Sequence, residues 1–217
     1  MALAIFDLDN TLLGGDSDYL WGRFLAENQI VDSEVYHETN LAFYHDYQAG
    51  RLDINAFLEF VFTPLKDNSM NDLLKWRSEY LQQKIMPIML PKAQALVDKH
   101  REQGDTLLII TATNSFLTAP IAEKLGIENL IATEPEQVDG KFTGKVAGVP
   151  SFQHGKVTRL QDWLANNHYS LDGSIFYSDS HNDLPLLEKV ATPVAVDPDE
   201  TLQQIAEQRG WKILSLR

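Results

Sequence analysis

The pattern of apolar and polar positions changes character along the chain. Ala2–Phe6 is a continuous apolar run, and Leu107–Ile110 is another. Ser174–Ser178 and Pro193–Val196 are shorter examples. Short apolar runs of this kind, rich in Ile and Val and bounded by Asp, Gly or Thr, predict strands buried on both faces, as in a parallel sheet. Between them the pattern turns helical over Lys92–Gln103, Ser115–Leu125, Ser151–His168 and Asp199–Arg209, with Gly104 and Gly126 placed as helix-ending glycines. Strand and helix in alternation predict an α/β fold with a Rossmann-like, doubly wound parallel sheet.

Residues 17–83 differ. They hold no strand-like run, and their apolar residues recur at spacings of three and four: Trp21, Phe24 and Leu25, then Leu41 and Tyr44, then Phe57, Leu58, Val61 and Phe62, then Leu73, Leu74, Tyr80 and Leu81. That spacing predicts amphipathic helices. Gly50, Thr63-Pro64 and Asp67-Asn68-Ser69 punctuate them into four. The chain leaves the core at Gly14-Gly15 and returns between Met86-Pro87 and Leu90-Pro91. The expected organisation is a core of residues 1–14 and 88–217 with a helical insertion over 15–87. Residues 134–149, with Asp139-Gly140 and Gly144, read as a hairpin on the edge of the core.

Composition narrows the function classes. A chain of 217 residues without cysteine excludes disulfide scaffolds, thiolate catalysis and Cys-based zinc or iron–sulfur sites. No apolar run reaches the ~18 residues of a membrane span. The apolar start has no basic flank and meets an acid at Asp7, so it reads as a buried strand and not a signal peptide, and a cytoplasmic protein is expected. Eighteen Lys and Arg stand against 31 Asp and Glu, a net charge of −13. Such a chain repels nucleic acid. A phosphate-bearing small molecule remains possible, provided a metal ion or a few placed cations hold it.

Four strand ends carry the candidate chemistry. Asp7-Leu8-Asp9-Asn10-Thr11 follows the first run, and Thr111 follows Ile110. Lys156 opens a helix, and Ser178-Asp179-Ser180-His181-Asn182-Asp183 follows Ile175–Tyr177. Singly, each has an ordinary structural reading: the acids and Thr111 as turn or helix-capping residues, Lys156 as a solvent-facing cation. Jointly they bring four carboxylates, a hydroxyl and an ammonium to one edge of a parallel sheet, where ligands bind. That set suits Mg²⁺-assisted phosphoryl transfer. Carboxylates are hard ligands for the ion, an Asp can attack phosphorus, and Thr and Lys can hold the remaining phosphoryl oxygens.

The ordered set Asp7-x-Asp9-x-Thr11, Thr111, Lys156 and Asp179-x-x-x-Asp183 resembles the haloacid dehalogenase superfamily of phosphatases, over nearly the whole chain. The helical insertion resembles the branch that includes phosphoserine phosphatase. The resemblance implies Asp7 as nucleophile and Asp9 as the acid that protonates the leaving alkoxide and then activates water. It implies Mg²⁺, or Mn²⁺, held by Asp7, the backbone carbonyl of Asp9 and Asp179, with Asp183 close by. Thr11, Thr111, Lys156 and Asn182 are the implied phosphate-binding residues, and 15–87 the implied cap that excludes water. Dehalogenases do not need Asp9, because a halide leaves without a proton, so its presence points to phosphate esters.

The substrate follows less directly. Asp16 matches the acidic position that meets the substrate ammonium in phosphoserine phosphatases. Val61 stands where their carboxylate-binding arginine is expected, and Ala112-Thr113-Asn114 replaces their paired glycines. Asp16 and Asp18 without that arginine suit a cationic ester lacking a carboxylate, and some members of this branch act on histidinol phosphate. The reading is therefore an amino-alcohol phosphate, with histidinol phosphate first and phosphoserine second. Arg23, Arg51 or Arg77 would have to supply a carboxylate clamp. Tyr19, Trp21, Phe43, Tyr44 and Phe57 either stack on an imidazole or form core. Two other classes share part of the pattern: a phosphotransferase, and a phospho-acceptor signalling module, whose chains are shorter and uncapped.

Overall fold

The computed structural model describes residues 2–217. In chain order its first half runs β1 (Leu3–Phe6), α1 (Ser17–Glu27), α2 (Ser33–Gln48), α3 (Ile54–Asp67), α4 (Met70–Tyr80), α5 (Pro91–Glu102), β2 (Thr106–Asn114) and α6 (Ser115–Leu125). Its second half runs β3 (Asn129–Thr133), β4 (Pro135–Val138), β5 (Lys141–Val146), α7 (His154–Asn167), β6 (Ile175–Ser178), α8 (Leu184–Leu187), β7 (Thr192–Val196), α9 (Glu200–Arg209) and β8 (Lys212–Leu214).

Every residue of β1 is buried, and its alternate positions serve two different cores. Ala4 and Phe6 join Val97, Leu117 and Ile121 of α5 and α6 on one face of the sheet. Leu3 and Ile5 join Leu160, Leu186 and Leu202 of α7, α8 and α9 on the other. This is the two-residue period of a strand covered on both sides. β1 pairs in parallel with β2 and with β6, and six strands lie in the order β3-β2-β1-β6-β7-β8. The chain builds outward from β1 to β3, returns to β6 beside β1, and builds outward the other way. Strand order thus reverses between β1 and β6, where sheets of this kind open a ligand crevice at their carboxyl ends.

The four inserted helices each begin on a side-chain cap. Asp16, Asp32, Asp53 and Ser69 accept backbone N–H groups from the first turns of α1, α2, α3 and α4, which fixes where each helix starts. Trp21, Phe24, Phe62, Leu65 and Tyr80 bury their apolar faces in the core that also contains Phe6 and Leu117. The outgoing and returning segments meet as a pair: Leu13 bridges Met89, and the Gly14 N–H donates to the Ile88 carbonyl at 2.7 Å.

The doubly wound sheet and the 134–149 hairpin agree with the pattern in the sequence, and three details depart from it. Pro64 does not punctuate: α3 runs through it to Asp67, and the Asn68 amide caps the Pro64 carbonyl. β2 continues past Ile110 to Asn114 along β3. α7 begins at His154, after a tight loop, rather than at Ser151. Among the described residues, no helix is long and apolar enough to cross a membrane.

Candidate active site

Asp7 is the first residue beyond β1. Its N–H continues the ladder to the Tyr177 carbonyl of β6 at 2.9 Å, so the side chain is delivered to the sheet edge by strand geometry. Lys156, in the first turn of α7, is 3% exposed and does not face solvent. Its Nζ lies 2.7 Å from Asp7 Oδ1 and 2.7 Å from Asp183 Oδ1. The Ser178 hydroxyl, at the end of β6, donates to Asp183 Oδ2 at 2.7 Å. One ammonium therefore ties the ends of β1 and β6 to α7.

Asp9 turns the other way. Its Oδ1 accepts the Ser17 N–H of α1 at 2.6 Å, and its Oδ2 accepts the Thr113 hydroxyl of β2 at 2.9 Å. The Thr111 hydroxyl is 3.4 Å from the same oxygen. Thr111 and Thr113 share a face because they are two apart on one strand. Asn114, not Thr111, caps α6.

Asp179 Oδ1 accepts the Thr11 hydroxyl at 3.0 Å, and that hydroxyl accepts the Asp179 N–H at 3.0 Å. Thr11 is thus committed to bracing the loop after β1 against the loop after β6. Asn182, expected at the phosphate, is also engaged by protein: its Nδ2 donates to the Tyr47 carbonyl at 3.0 Å, and its Oδ1 accepts from Gln153 Nε2 at 2.9 Å. Asp7, Asp9, Thr111, Lys156, Asp179 and Asp183 are brought to one edge, whereas Thr11 and Asn182 make contacts between loops. Thr113 and Gln153 belong to the same network and carry no motif of their own, and Ser178, at the head of the fourth motif, joins it through Asp183.

The electrostatics follow from burial. Desolvation pushes the Asp7 carboxyl up to about 7, with Asp183 and Asp9 adding to the rise and Lys156 opposing it. Desolvation raises Asp9 as well, against hydrogen bonds from Ser17 and Thr113. Asp179 is raised by burial and by Asp7 and Asp183. Burial alone would discharge Lys156, but Asp183 and Asp7 outweigh it and hold the ammonium protonated. Once ionised, these carboxylates carry more negative charge than one lysine offsets. Oxygen donors in charge surplus fit a hard divalent cation. No three acidic or imidazole side chains among the described residues enclose a common point. The fit is to an ion held by one or two carboxylates, with water and phosphate completing its shell, as Mg²⁺ prefers.

A cavity, part of it open to solvent, lies between this edge and the inserted helices. Asp7, Asp9, Thr111 and Thr113 line its floor, and Asp16, Asp18, Tyr19, Asn40, Phe43, Tyr44 and Phe57 belong to its helical side. The aromatic residues divide accordingly. Trp21 is core, packed on Phe24 and Tyr80, while Tyr19, Phe43, Tyr44 and Phe57 line the cavity. Asp16 caps α1 and is pushed up to about 7 by desolvation and by Asp9. Asp18 is raised well above the usual carboxylate range by burial, Asp16 and Asp9. None of the three candidate arginines lines the cavity. Arg23 pairs with Glu27, Arg51 with Asp46, and Arg77 donates to the Phe116 carbonyl while lying over the Phe116 ring. Val61 is buried in the core.

Comparison with known proteins bears on this arrangement. Residues 4–188 match the haloacid dehalogenase-like hydrolase family. The chain is 43% identical over 219 residues to a histidinol-phosphatase of Neisseria meningitidis, covering 99% of each. It is 32% identical to a phosphoserine phosphatase of Mycobacterium tuberculosis, covering 100% of this chain and 71% of that one. Among solved structures, a protein of unknown function from Bordetella pertussis superposes with a TM-score of 0.94 at 42% identity, covering 100% of this chain and 99% of that one. A phospho-aspartyl intermediate analogue of phosphoserine phosphatase shares the fold, with a TM-score of 0.73 at 19% identity over 100% of this chain and 93% of that one.

Proposed function

We propose, from the premise that the chain belongs to the haloacid dehalogenase-like hydrolases and is a phosphatase, that it hydrolyses a small cationic phosphomonoester, histidinol phosphate first, through an aspartyl phosphate on Asp7. The observation that carries the chemistry is Lys156 Nζ, 2.7 Å from both Asp7 and Asp183 at the switch point of the sheet. It fixes the carboxylate that attacks and supplies positive charge where phosphoryl charge shifts.

An Asp7 oxygen attacks phosphorus, and the ester oxygen leaves with a proton taken from Asp9. Asp9, now a carboxylate, accepts a proton from water as that water attacks the acyl phosphate. Phosphate leaves, and the Asp7 carboxylate is restored. Burial favours the protonated Asp9 that the first step needs, and the Thr113 hydroxyl and Ser17 N–H hold it in place for both steps. Thr111 and Lys156 hold phosphoryl oxygens. Thr11 acts through Asp179, and Asn182 joins this edge to the end of α2. Asp7, the Asp9 carbonyl and Asp179 would hold Mg²⁺, which when bound would offset phosphate charge and favour the ionised Asp7. Residues 15–87 act as a cap that excludes water while the acyl phosphate exists.

Asp16 and Asp18, with no arginine among the lining residues, favour a substrate that brings positive charge and no carboxylate. The full-length likeness to a histidinol-phosphatase supports the same choice. Phosphoserine, the second reading, would place its carboxylate beside these acids without a partner.

The test is phosphate release from histidinol phosphate, phosphoserine, phosphoethanolamine and sugar phosphates, with Mg²⁺ and with EDTA, using Asp7→Asn as the blank. Metal-dependent release led by histidinol phosphate and lost in Asp7→Asn is expected. A preference for phosphoserine would overturn the substrate assignment, and release from Asp7→Asn would overturn the nucleophile.

A further inference from the structure

We infer that Asp18 forms a second nitrogen subsite, distinct from Asp16, which accepts the ring N–H of a heteroaromatic substrate; the inference rests on the cationic-ester reading of this cavity and adds a division of labour between its two acids. The two carboxylates stand in different states. Asp16 has its Oδ1 occupied as the cap of α1, accepting the Tyr19 N–H at 2.8 Å. Asp18, two residues on, is only 8% exposed, and its Oδ1 is shielded without any hydrogen-bond donor. A buried carboxylate oxygen with no donor is rare, because it gives up its hydration for nothing. Helix α1 does not need Asp18 as a cap. Asp18 nonetheless lines the cavity, and its other oxygen, which is not shielded like Oδ1 and meets no protein donor, is the one a ligand N–H can reach.

The walls say what kind of N–H. Tyr19 and Tyr44 stack with ring centroids 4.7 Å apart, and Phe43 meets Phe57 edge to face at 5.5 Å. All four line the same cavity as Asp18. Aromatic faces favour a flat, positively polarised ring. A bare ammonium would satisfy Asp16 and leave both the aromatic walls and the Asp18 oxygen unused. An imidazole ring uses both. The class recognised is a phosphomonoester carrying an ammonium near the ester and an N–H heteroaromatic ring beyond it. Phosphoethanolamine has the first feature and lacks the second.

The experiment compares wild type, Asp18→Asn and Asp16→Asn, each with Mg²⁺. Kinetics on histidinol phosphate and phosphoethanolamine give the ratio of their kcat/KM values, and calorimetry gives the affinity for L-histidinol, which carries no phosphate. Asp18→Asn replaces a buried carboxyl with an amide of the same size and should fold with an unchanged or higher thermal midpoint. The expected result is a ratio lowered at least fivefold in Asp18→Asn, through KM for histidinol phosphate, together with at least fivefold weaker L-histidinol binding. Asp16→Asn should impair both esters and hold the ratio within fivefold. A ratio within fivefold of wild type in Asp18→Asn, or unchanged L-histidinol affinity, overturns the subsite while leaving the histidinol phosphatase reading intact. A wild type that does not hydrolyse histidinol phosphate overturns that reading and the subsite with it.

Discussion

Gly155 occupies a position where no side chain fits: a Cβ there would lie 2.0 Å from the Pro150 carbonyl oxygen. That contact is with backbone and cannot be relieved by a rotamer change, so Gly155→Ala must open the 150–155 loop. The next residue is Lys156, whose ammonium depends on its place between Asp7 and Asp183. Misplacement of such a group by about 1 Å can cost ~100-fold. Gly155→Ala is therefore expected to lower kcat/KM about a hundredfold while its circular dichroism stays that of a folded α/β protein; near-wild-type activity would show that the loop does not position Lys156. Thr113 makes a gentler case. Thr113→Val keeps the shape and removes the donor 2.9 Å from Asp9 Oδ2. Hydrogen bonds to charged groups are worth about 1.5–3 kcal/mol, roughly 10- to 100-fold in rate. Steady-state kinetics should show that loss in kcat, with KM little changed and Thr113→Ser restoring most of it.

At the scale of elements, the turn between α2 and α3 rests on the turn that carries Asp183. The Tyr47 carbonyl accepts the Asn182 amide, and Gly50, at φ +67°, packs so close to His181 that a Cβ would meet its Nε2 at 2.5 Å. The His181 ring is tethered by Asp199, 2.8 Å from Nδ1. Gly50→Val adds both a left-handed strain of about 1 kcal/mol or more and a wedge under the inserted helices. It should raise KM for the ester at least severalfold with a smaller change in kcat, and speed hydrogen exchange over residues 44–52; unaltered exchange would mean this contact does not hold the helices down. The central elements were legible in the sequence because burial on both faces leaves unbroken apolar runs, as in β1 and β6. β8 was not, since Lys212-Ile213-Leu214 is a short and largely exposed edge. β3 holds only Leu130, Ile131 and Ala132 between polar ends. The motif residues Asp7, Asp9, Lys156, Asp179 and Asp183 could be picked out by order along the chain. Thr113 and Gln153 could not, because each acts through a partner that only the fold brings near, and Ser178 was legible as part of the fourth motif but not as the donor to Asp183. Thr113 lies 104 residues from Asp9. Thr11 and Asn182 were legible as motif positions, but their partners were not.

For the whole molecule, the surplus of acid matters less as a net charge of −13 than as buried carboxylates gathered at one edge, and the two have different pH signatures. A surface charge is screened by salt and changes stability weakly. Buried Asp7 and Asp16, each pushed up to about 7 from an unfolded value of about 3.9, bind protons more tightly in the folded state. Their contribution to stability is complete below about pH 4 and is lost as pH rises through about 7. Asp105 runs the other way. Despite burial, the His100 ring and the Ala2 N–H hold it below the usual carboxylate range, so its contribution is present at neutral pH and is lost only in acid. Between pH 5 and 8 the raised pair dominates, and the metal-free protein should melt at progressively lower temperature as pH rises. A cation that binds the ionised acids adds stability in proportion to its occupancy. Mg²⁺ should therefore raise the thermal midpoint more at pH 8 than at pH 5.5 and offset most of the decline, and Asp16→Asn should flatten the metal-free slope. Thermal unfolding of EDTA-treated protein, with and without Mg²⁺, tests both parts. A slope that persists in Asp16→Asn would show that Asp16 is not one of the buried acids responsible. A midpoint that ignores Mg²⁺ at pH 8 would remove the metal from the proposed mechanism, because acids this crowded cannot bind a divalent cation without being stabilised by it.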